Sequence, residues 1–158
     1  VREALFSSLE SMVELEDARV LDLFAGSGAL GLEALSRGAG HVRFVESDRR
    51  AAGLIRRNAR TLGFRGVRIE QTTVETALAA IPDGPYQVVF ADPPYAFDAQ
   101  RVERMLTALA GDWTNEDTVL VLERATRDPA PNWPEQWVVT RVREYGGTAL
   151  HWAQRRLP

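Results

Sequence analysis

The chain has 158 residues, of which 45% are hydrophobic, and this is enough for one globular domain with a substantial core. It has no cysteine, which excludes disulfides and Cys-based zinc or iron–sulfur sites, and its two histidines, His41 and His151, are too far apart to suggest a metal motif. The formal net charge of −3 does not favour nucleic-acid binding, although all nineteen basic residues are arginine. We therefore expect a single domain over residues 1–158 and no metal.

No apolar stretch approaches the roughly 20 residues that cross a bilayer, and the N-terminus lacks the basic, apolar and small residues that mark a secretion signal. We therefore expect a cytoplasmic protein with no membrane partner. The chain starts with Val1 and enters a helical pattern at once. We expect an N-terminal segment to precede this residue in the intact protein.

Short β-rich runs alternate with longer helical patterns along the chain, which is typical of a parallel α/β sheet covered by helices on both faces. The spacing of apolar residues, together with capping residues such as Asp48, predicts helices over residues 1–12, 30–37, 48–62, 74–81 and 100–109. Strands are predicted over residues 19–24, 41–46, 67–70, 87–91 and 118–122.

Two of these helices show an apolar face that we expect to be buried. In the third helix Leu54, Ile55 and Leu62 are placed on this face, and arginines cover the other. In the fifth helix the inward residues are Val102, Met105, Leu106 and Leu109.

The last part of the chain predicts a hairpin. Residues 128–134 contain three prolines and are expected to form an ordered loop. Two β-rich runs, 137–143 and 148–153, are then separated by Gly146-Gly147, a dipeptide that suits a turn with positive φ. The sheet is therefore expected to end in an antiparallel pair.

A glycine-rich loop follows the first strand and opens the second helix. Gly26, Gly28 and Gly31 satisfy the pattern G-x-G-x-x-G, in which backbone passes close to a bound nucleotide. Glu46 follows Gly26 by twenty residues, at the end of the second strand, where a carboxylate can accept both ribose hydroxyl hydrogens. This arrangement predicts a nucleotide cofactor.

Two cofactors compete for this loop. A nicotinamide dinucleotide would place its pyrophosphate on the helix N-terminus, whereas a sulfonium methyl donor has no phosphate and carries an amino group that needs an acid. Asp22, inside the apolar first strand, supplies such an acid, although it could instead cap local backbone amides. The absence of lysine and the position of the two histidines disfavour hydride transfer.

The tetrapeptide Asp92-Pro93-Pro94-Tyr95 follows the fourth strand. An exocyclic amino nitrogen has its lone pair delocalised into the base ring, so methyl transfer to it needs acceptors that hold its hydrogens. Asp92 and the rigidly held Pro93 carbonyl suit this role, and Tyr95 offers a surface for base stacking, worth roughly 1–3 kcal/mol per base. The target base must be flipped out or unpaired. The alternative interpretation is a rigid turn in which Asp92 caps the next helix.

Three segments resemble the RsmD-type small-subunit ribosomal RNA guanine-N2 methyltransferases: 1–6 (Val-Arg-Glu-Ala-Leu-Phe), 22–38, which holds the glycine loop and its Leu-Glu-Ala-Leu-Ser-Arg-Gly extension, and 92–95. The resemblance implies a Rossmann-like class I methyltransferase fold, with a mostly parallel seven-stranded sheet whose last strand is reversed. It also implies S-adenosylmethionine as cofactor and the N2 amino group of a 16S rRNA guanine as acceptor. The implied partner is this RNA within a 30S subunit or assembly intermediate that contains ribosomal proteins.

The resemblance also implies a role for each site residue. The methionine end of the donor would contact the loop and the acid before it, namely Asp22, Phe24, Ala25, Gly26, Ser27 and Gly28. Glu46 would hold the ribose, with Ser47 next to it as a further cofactor-binding residue. Thr73 and Val74 would lie beside the adenine, and Asp92 to Tyr95 would receive the guanine amino group. The family usually offers Asp or Asn with a small residue where this chain has Thr73-Val74. The Thr73 hydroxyl or a backbone group is the expected replacement.

Several alternatives remain open at this point. The Asp-Pro-Pro-Tyr turn is shared with adenine-N6 methyltransferases that act on DNA or RNA, and a non-catalytic S-adenosylmethionine- or RNA-binding module would keep the same fold. Family members carry a basic stretch ahead of Val-Arg-Glu that this chain lacks. Within the chain, one helix has a cationic face that either contacts RNA phosphates or is an ordinary solvated face: Arg49, Arg50, Arg56, Arg57 and Arg60.

Overall fold

Helices and strands alternate along residues 1–157, which are the residues that the computed structural model describes. The helices are α1 Arg2–Glu10, α2 Ala29–Ser36, α3 Arg49–Leu62, α4 Val74–Ala79 and α5 Ala99–Leu109. The strands are β1 Arg19–Leu23, β2 His41–Val45, β3 Val67–Glu70, β4 Val88–Ala91, β5 Val119–Ala125, β6 Trp137–Tyr145 and β7 Thr148–Arg155.

The strands form one seven-stranded sheet in the order β3-β2-β1-β4-β5-β7-β6. The first five strands in this order, β3-β2-β1-β4-β5, are all parallel to one another. Strand β7 pairs antiparallel with both β5 and β6. The predicted α/β fold with a reversed last strand is therefore confirmed. The chain builds outward from β1 to β3 and then returns to place β4 on the other side of β1. A crevice at the carboxyl ends of β1 and β4 is where open α/β sheets bind ligands.

Apolar side chains cover both faces of the sheet. One cluster joins α4 and α5 to one face, and a second joins α1, α2 and α3 to the other. The short strand β4 lies in the middle and is buried throughout. Residues that follow the carboxyl end of this strand are therefore held in a fixed position by the buried sheet.

The buried face of α3 differs from the prediction. Its buried residues are Ala52, Ile55 and Ala59, at spacings of three and four, whereas Leu54 and Leu62 are 36% and 59% exposed. The placement of these two leucines was wrong. The small alanine side chains allow the helix to approach the sheet, and Leu54, only one residue from Ile55, is turned about 100° away from the buried stripe.

Capping residues predicted the ends of α3 correctly. The Asp48 side chain accepts a hydrogen bond of 2.9 Å from Ala51 N–H at the start of α3, and Gly63 ends this helix with a φ of 71°. All four predicted inward residues of α5 are buried. Helix α4 ends at Ala79, short of Ile81, which is 92% exposed, and the next residue, Pro82, disfavours a helical conformation before it.

The predicted hairpin is present between β6 and β7. Tyr145 pairs with Thr148 across the turn, and Gly146 supplies the positive φ of 60°. Strand β5 continues to Ala125, beyond the predicted end at residue 122, because β7 pairs with it as far as Ala125 and Thr148. The hairpin therefore lengthens β5 past the end of β4.

Membrane-spanning helices and metal clusters are both absent from the described residues. None of their helices combines the length and apolar character needed to cross a membrane. Within residues 1–157, no three His, Cys, Asp or Glu side chains are grouped so that they could hold a metal ion.

Candidate active site

The glycine loop between β1 and α2 turns sharply. Phe24, Gly26 and Gly28 all have positive φ, at 55°, 60° and 80°. A non-glycine residue in this conformation is uncommon, and such strain is concentrated at ligand sites. Gly31 serves helix packing instead, because a Cβ there would collide with the ring of Phe44 on β2. The loop and the first turn of α2 are thereby fixed against the sheet.

Glu46 joins this loop to the start of α3. Its Oε1 accepts a hydrogen bond of 2.8 Å from Gly26 N–H, and its Oε2 accepts one of 2.7 Å from Asp48 N–H. Each carboxylate oxygen has a second lone pair. The half-buried Glu46 therefore holds the loop in shape and still has acceptor capacity for a pair of ribose hydroxyls.

Asp22 lies under the loop and is 3% exposed. Its Oδ2 accepts a hydrogen bond of 3.0 Å from Gly31 N–H at the N-terminus of α2, which is the local capping role expected as an alternative. Burial raises the pKa of Asp22 to about 8, an effect reduced by the Gly31 hydrogen bond and increased by the charges of Asp92 and Glu46. The described side-chain hydrogen bonds leave Oδ1 free to accept from an ammonium group.

A narrow cavity of about 140 Å³ connects the loop with the neighbouring strand ends. Phe24 and Phe97 form an edge-to-face pair in its wall, with ring centroids 5.0 Å apart. The other lining residues include all four that were predicted for the ribose and adenine: Val45, Glu46, Ser47, Thr72, Thr73, Val74, Glu75, Pro94, Ala96 and Arg101. An apolar wall beside a carboxylate is the chemistry that an adenosine requires.

Thr73 is largely occupied by the helix that it precedes. Its Oγ1 accepts a hydrogen bond of 3.1 Å from Thr76 N–H and donates one of 2.9 Å to Thr76 Oγ1. One lone pair of this hydroxyl remains. The expected contact from Thr73 to an adenine amino group is therefore restricted to that lone pair or to the backbone.

The Asp92-Pro93-Pro94-Tyr95 turn follows β4 at the same edge of the sheet. Phe97 N–H closes the turn with a hydrogen bond of 2.9 Å to the Pro94 carbonyl. The next helix, α5, is capped by Asp98, which accepts from Arg101 N–H at 2.9 Å. Asp92 is not this cap, so the interpretation of the motif as a capped turn is wrong.

The turn presents different surfaces on its two sides. Pro93 is buried, whereas Asp92 is exposed and Tyr95 is 80% exposed. The Arg127 guanidinium lies 5.7 Å from the centroid of that ring. Tyr95 therefore offers an open aromatic face next to a cation, as a stacked nucleotide requires.

Sequence reasoning missed Glu123, at the carboxyl end of β5. Ala91 and Leu122 are paired across β4 and β5, so Asp92 and Glu123 are the next residues of two adjacent strands. Burial and the neighbouring Asp92 carboxyl raise the pKa of Glu123 to about 7. The sequence feature that could have identified Glu123 is its charge, which directly follows the apolar run Thr118 to Leu122.

Asp92 belongs to the same electrostatic unit. Partial removal from water raises its pKa, while interaction with the Glu123 carboxyl and the charge of Arg124 act in the lowering direction. Arg124 is buried, and its Nη1 donates to the Phe97 carbonyl at 3.5 Å. Two carboxyls and a buried cation thus border the turn.

Comparisons with known proteins show the family to which this chain belongs. The family described as conserved hypothetical protein 95 matches residues 1–154. Ribosomal RNA small subunit methyltransferase D of Escherichia coli K12 is 34% identical over 156 residues, which cover 98% of this chain and 76% of that protein. The chain belongs to the RsmD-type methyltransferase family. The Haemophilus influenzae protein of the same name is 31% identical over 150 residues, covering 92% of this chain and 75% of that protein.

Solved structures extend the comparison to the fold. The Escherichia coli protein yhhF superposes with a TM-score of 0.86 at 33% identity, over 98% of this chain and 84% of that one. Magnesium protoporphyrin IX methyltransferase from Synechocystis, solved with S-adenosylmethionine bound, has a TM-score of 0.74 at 15% identity, over 98% of this chain and 78% of that one. At this identity the likeness concerns the fold alone. The predicted family and fold are both confirmed.

Proposed function

We propose that this protein transfers the methyl group of S-adenosylmethionine to the exocyclic N2 amino group of a guanine in small-subunit ribosomal RNA. One observation carries the proposal. The loop with Asp22 and Glu46, and the Asp92-Pro93-Pro94-Tyr95 turn, meet at the carboxyl ends of β1 and β4, close enough that the charges of Asp92 and Glu46 both raise the pKa of Asp22. A donor site and an acceptor site therefore share one crevice.

S-adenosylmethionine is the cofactor that this class I fold binds, and it supplies an electrophilic methyl group on a sulfonium. The residues present fit it. Asp22 Oδ1 is available for the donor's ammonium group, and Glu46 has lone pairs for the ribose hydroxyls. The cavity walled by Phe24 and Phe97 fits the adenine, and the strained loop brings backbone amides close to the methionine end.

The acceptor groups lie on the turn. Asp92 accepts an N–H of the target amino group and takes the proton that the nitrogen loses when it gains carbon, while the Pro93 carbonyl holds the second hydrogen. The exposed Tyr95 ring stacks on the flipped base, and Arg127 beside it adds a positive charge for the nucleotide backbone.

The identity of the acceptor rests on the family. The curated relatives from Escherichia coli and Haemophilus influenzae are named for methylation of small-subunit ribosomal RNA. A chain with a net charge of −3 gains little affinity for RNA from long-range attraction, so we propose a 30S subunit or assembly intermediate with its proteins as the substrate. A cytoplasmic site of action follows from that substrate.

Label transfer tests this function. The protein is incubated with S-adenosylmethionine that carries a tritiated methyl group and with 30S subunits from cells that lack the enzyme, and RNA and protein are then separated. Label is expected in the RNA and is expected to be lost with Asp92→Ala. Label in the protein fraction, or none from a folded enzyme, would overturn the proposal.

Donor binding is measured separately by calorimetry. S-adenosylhomocysteine is expected to bind wild type and Asp92→Ala, which distinguishes loss of chemistry from loss of the donor site. No heat with a protein that circular dichroism shows to be folded would contradict the donor assignment.

A further inference from the structure

Glu123 is the strongest candidate for a further functional residue, because it faces the same space as Asp92. The residues two positions earlier on each strand, Phe90 and Val121, belong to the same core cluster, and side chains alternate along a strand. Asp92 and Glu123 therefore point to the same side of the sheet from adjacent registered positions. Both line one cavity of about 290 Å³ together with Pro93, Pro94 and Tyr95.

Two adjacent carboxyls match one base edge better than another. The Watson–Crick edge of guanine carries two neighbouring donors, the N2 amino group and N1–H. Adenine carries an amino group beside an unprotonated N1, which is an acceptor. A second carboxylate next to Asp92 would complete a hydrogen bond with guanine, and would face a lone pair in adenine.

The rest of the cavity supports a base at this point. Tyr95 is open to solvent on the turn, and Arg127 stands over its ring. Arg124, buried in the cavity wall, has an Nε without a hydrogen-bond partner among the described residues, so its charge is not neutralised through that atom. Its ion-pair distance to Asp128 is long, at 3.9 Å. This cation helps the carboxyl pair to ionise when a base arrives.

We propose that Glu123 accepts the N1–H of the target guanine while Asp92 accepts an N2–H, so that Glu123 selects guanine over adenine. The inference rests on the function proposed above and names the residue that decides the base. A hydrogen bond from N1–H to a carboxylate also increases electron density on the guanine ring and makes N2 a better nucleophile. Asp92 remains the acceptor of the proton that N2 loses.

The test uses a base that differs from guanine at this position. 2-Aminopurine keeps the exocyclic 2-amino group but lacks the 6-oxo group and has an unprotonated N1, so a variant of Glu123 is needed to assign the preference to N1. The nucleotide that wild type methylates is first mapped, and 16S rRNA is then prepared by splinted ligation with guanine or 2-aminopurine at that nucleotide and assembled into 30S particles. Wild type is expected to prefer guanine by about 10- to 100-fold in kcat/KM, the range for one hydrogen bond to a charged group.

Glu123→Gln is the decisive variant, because its amide can donate to the unprotonated N1. We expect this variant to lose activity on guanine and to reduce or invert the preference. Glu116→Gln removes the same charge from an exposed position outside the cavity and is expected to keep the wild-type preference. Binding of S-adenosylhomocysteine and the melting temperature establish that each variant is folded.

The outcomes separate the two proposals. If wild type methylates guanine but treats both bases alike, or if Glu123→Gln keeps the wild-type ratio, Glu123 does not read N1 and the proposed function stands. If wild type modifies adenine or no RNA at all, the proposed function itself fails.

Discussion

Asp22 Oδ2 and the backbone N–H of Gly31 form a buried hydrogen bond of 3.0 Å that ties β1 to the first turn of α2. An anionic acceptor at a helix N-terminus is favourable. Burial nevertheless raises the pKa of this carboxyl to about 8, so at neutral pH the free protein carries it mostly protonated. A donor with an ammonium group would shift it to the ionised form.

The first prediction concerns donor binding through Asp22. Below about pH 8 a proton must leave Asp22 when the ammonium group binds, so affinity for S-adenosylhomocysteine is expected to rise by up to tenfold per pH unit between pH 6 and 7.5. Asp22→Asn keeps an acceptor for Gly31 N–H but loses the charge, and should bind about 10- to 100-fold more weakly with no such slope. Calorimetry in buffers of different ionisation enthalpy measures the released proton directly. An equal slope in the variant would contradict this role.

The same residue sets a pH dependence of stability. Between its unfolded pKa of 3.8 and its folded pKa of about 8, the folded protein holds a proton that the unfolded chain has released. The contribution of Asp22 to the free energy of unfolding is therefore greatest at low pH and is lost as pH rises through this window. In urea unfolding without ligand, Asp22→Asn should gain stability relative to wild type between pH 5 and 8. A constant difference would show that the pKa is not raised.

Gly31 provides a prediction about packing. In Gly31→Ala the new Cβ meets the Phe44 ring, and we expect a loss of about 1–3 kcal/mol in the free energy of unfolding. Gly53→Ala is the matched control, because nothing lies within 4 Å of its Cβ position in α3, and alanine should stabilise that helix by about 0.5–1 kcal/mol. If both substitutions change the free energy of unfolding in the same direction, the close contact between α2 and β2 is contradicted.

These examples show which parts of the molecule the sequence could predict. The glycine loop, the Asp48 cap and the Gly146-Gly147 turn depend on residues within a few positions of each other, and each was placed correctly. The seven-stranded sheet with its reversed last strand was predicted from the family resemblance, whereas the strand order depends on pairing between distant segments and was not predicted.

Other features depend on packing between distant segments. Leu54 resembles a core residue by size alone, but the closeness of α3 to the sheet is set by Ala52 and Ala59. Glu123 lies 31 positions after Asp92 along the chain and meets it only because Ala91 and Leu122 are in register. Neither relationship can be predicted from residues that are neighbours in the sequence.

The carboxyl pair predicts how activity depends on pH. With saturating donor, Asp22 is already ionised, and the pKa of about 7 for Glu123 should dominate. Because the ionised form accepts the guanine N–H, kcat/KM for the RNA substrate is expected to rise from pH 6 to 8 and then level off. In Glu123→Gln this rise in kcat/KM between pH 6 and 8 should disappear. If the rise is unchanged in the variant, the titrating group is not Glu123.

The arginines of α3 either contact RNA phosphates or form an ordinary solvated face, and mutation distinguishes these two interpretations. None of Arg49, Arg50, Arg56, Arg57 and Arg60 has a carboxylate within 4 Å in the described part of the chain, whereas Arg37 and Arg43 have several. A double change, Arg50→Gln with Arg57→Gln, should raise KM for 30S particles several-fold and reduce the salt dependence by about one unit of slope per lost phosphate contact. Arg143→Gln, an exposed arginine on β6, is the charge control. Equal effects of both would mean a non-specific loss of charge.

The central claim is that guanine N2 in small-subunit RNA receives the methyl group. It is tested most directly by nucleoside mass spectrometry of 16S rRNA, after 30S particles from cells that lack the enzyme react with this protein and S-adenosylmethionine carrying a deuterated methyl group. A single labelled nucleoside, N2-methylguanosine, is predicted from wild type and none from Asp92→Ala. Labelled N6-methyladenosine, or no labelled nucleoside from a protein that binds the donor, would contradict it.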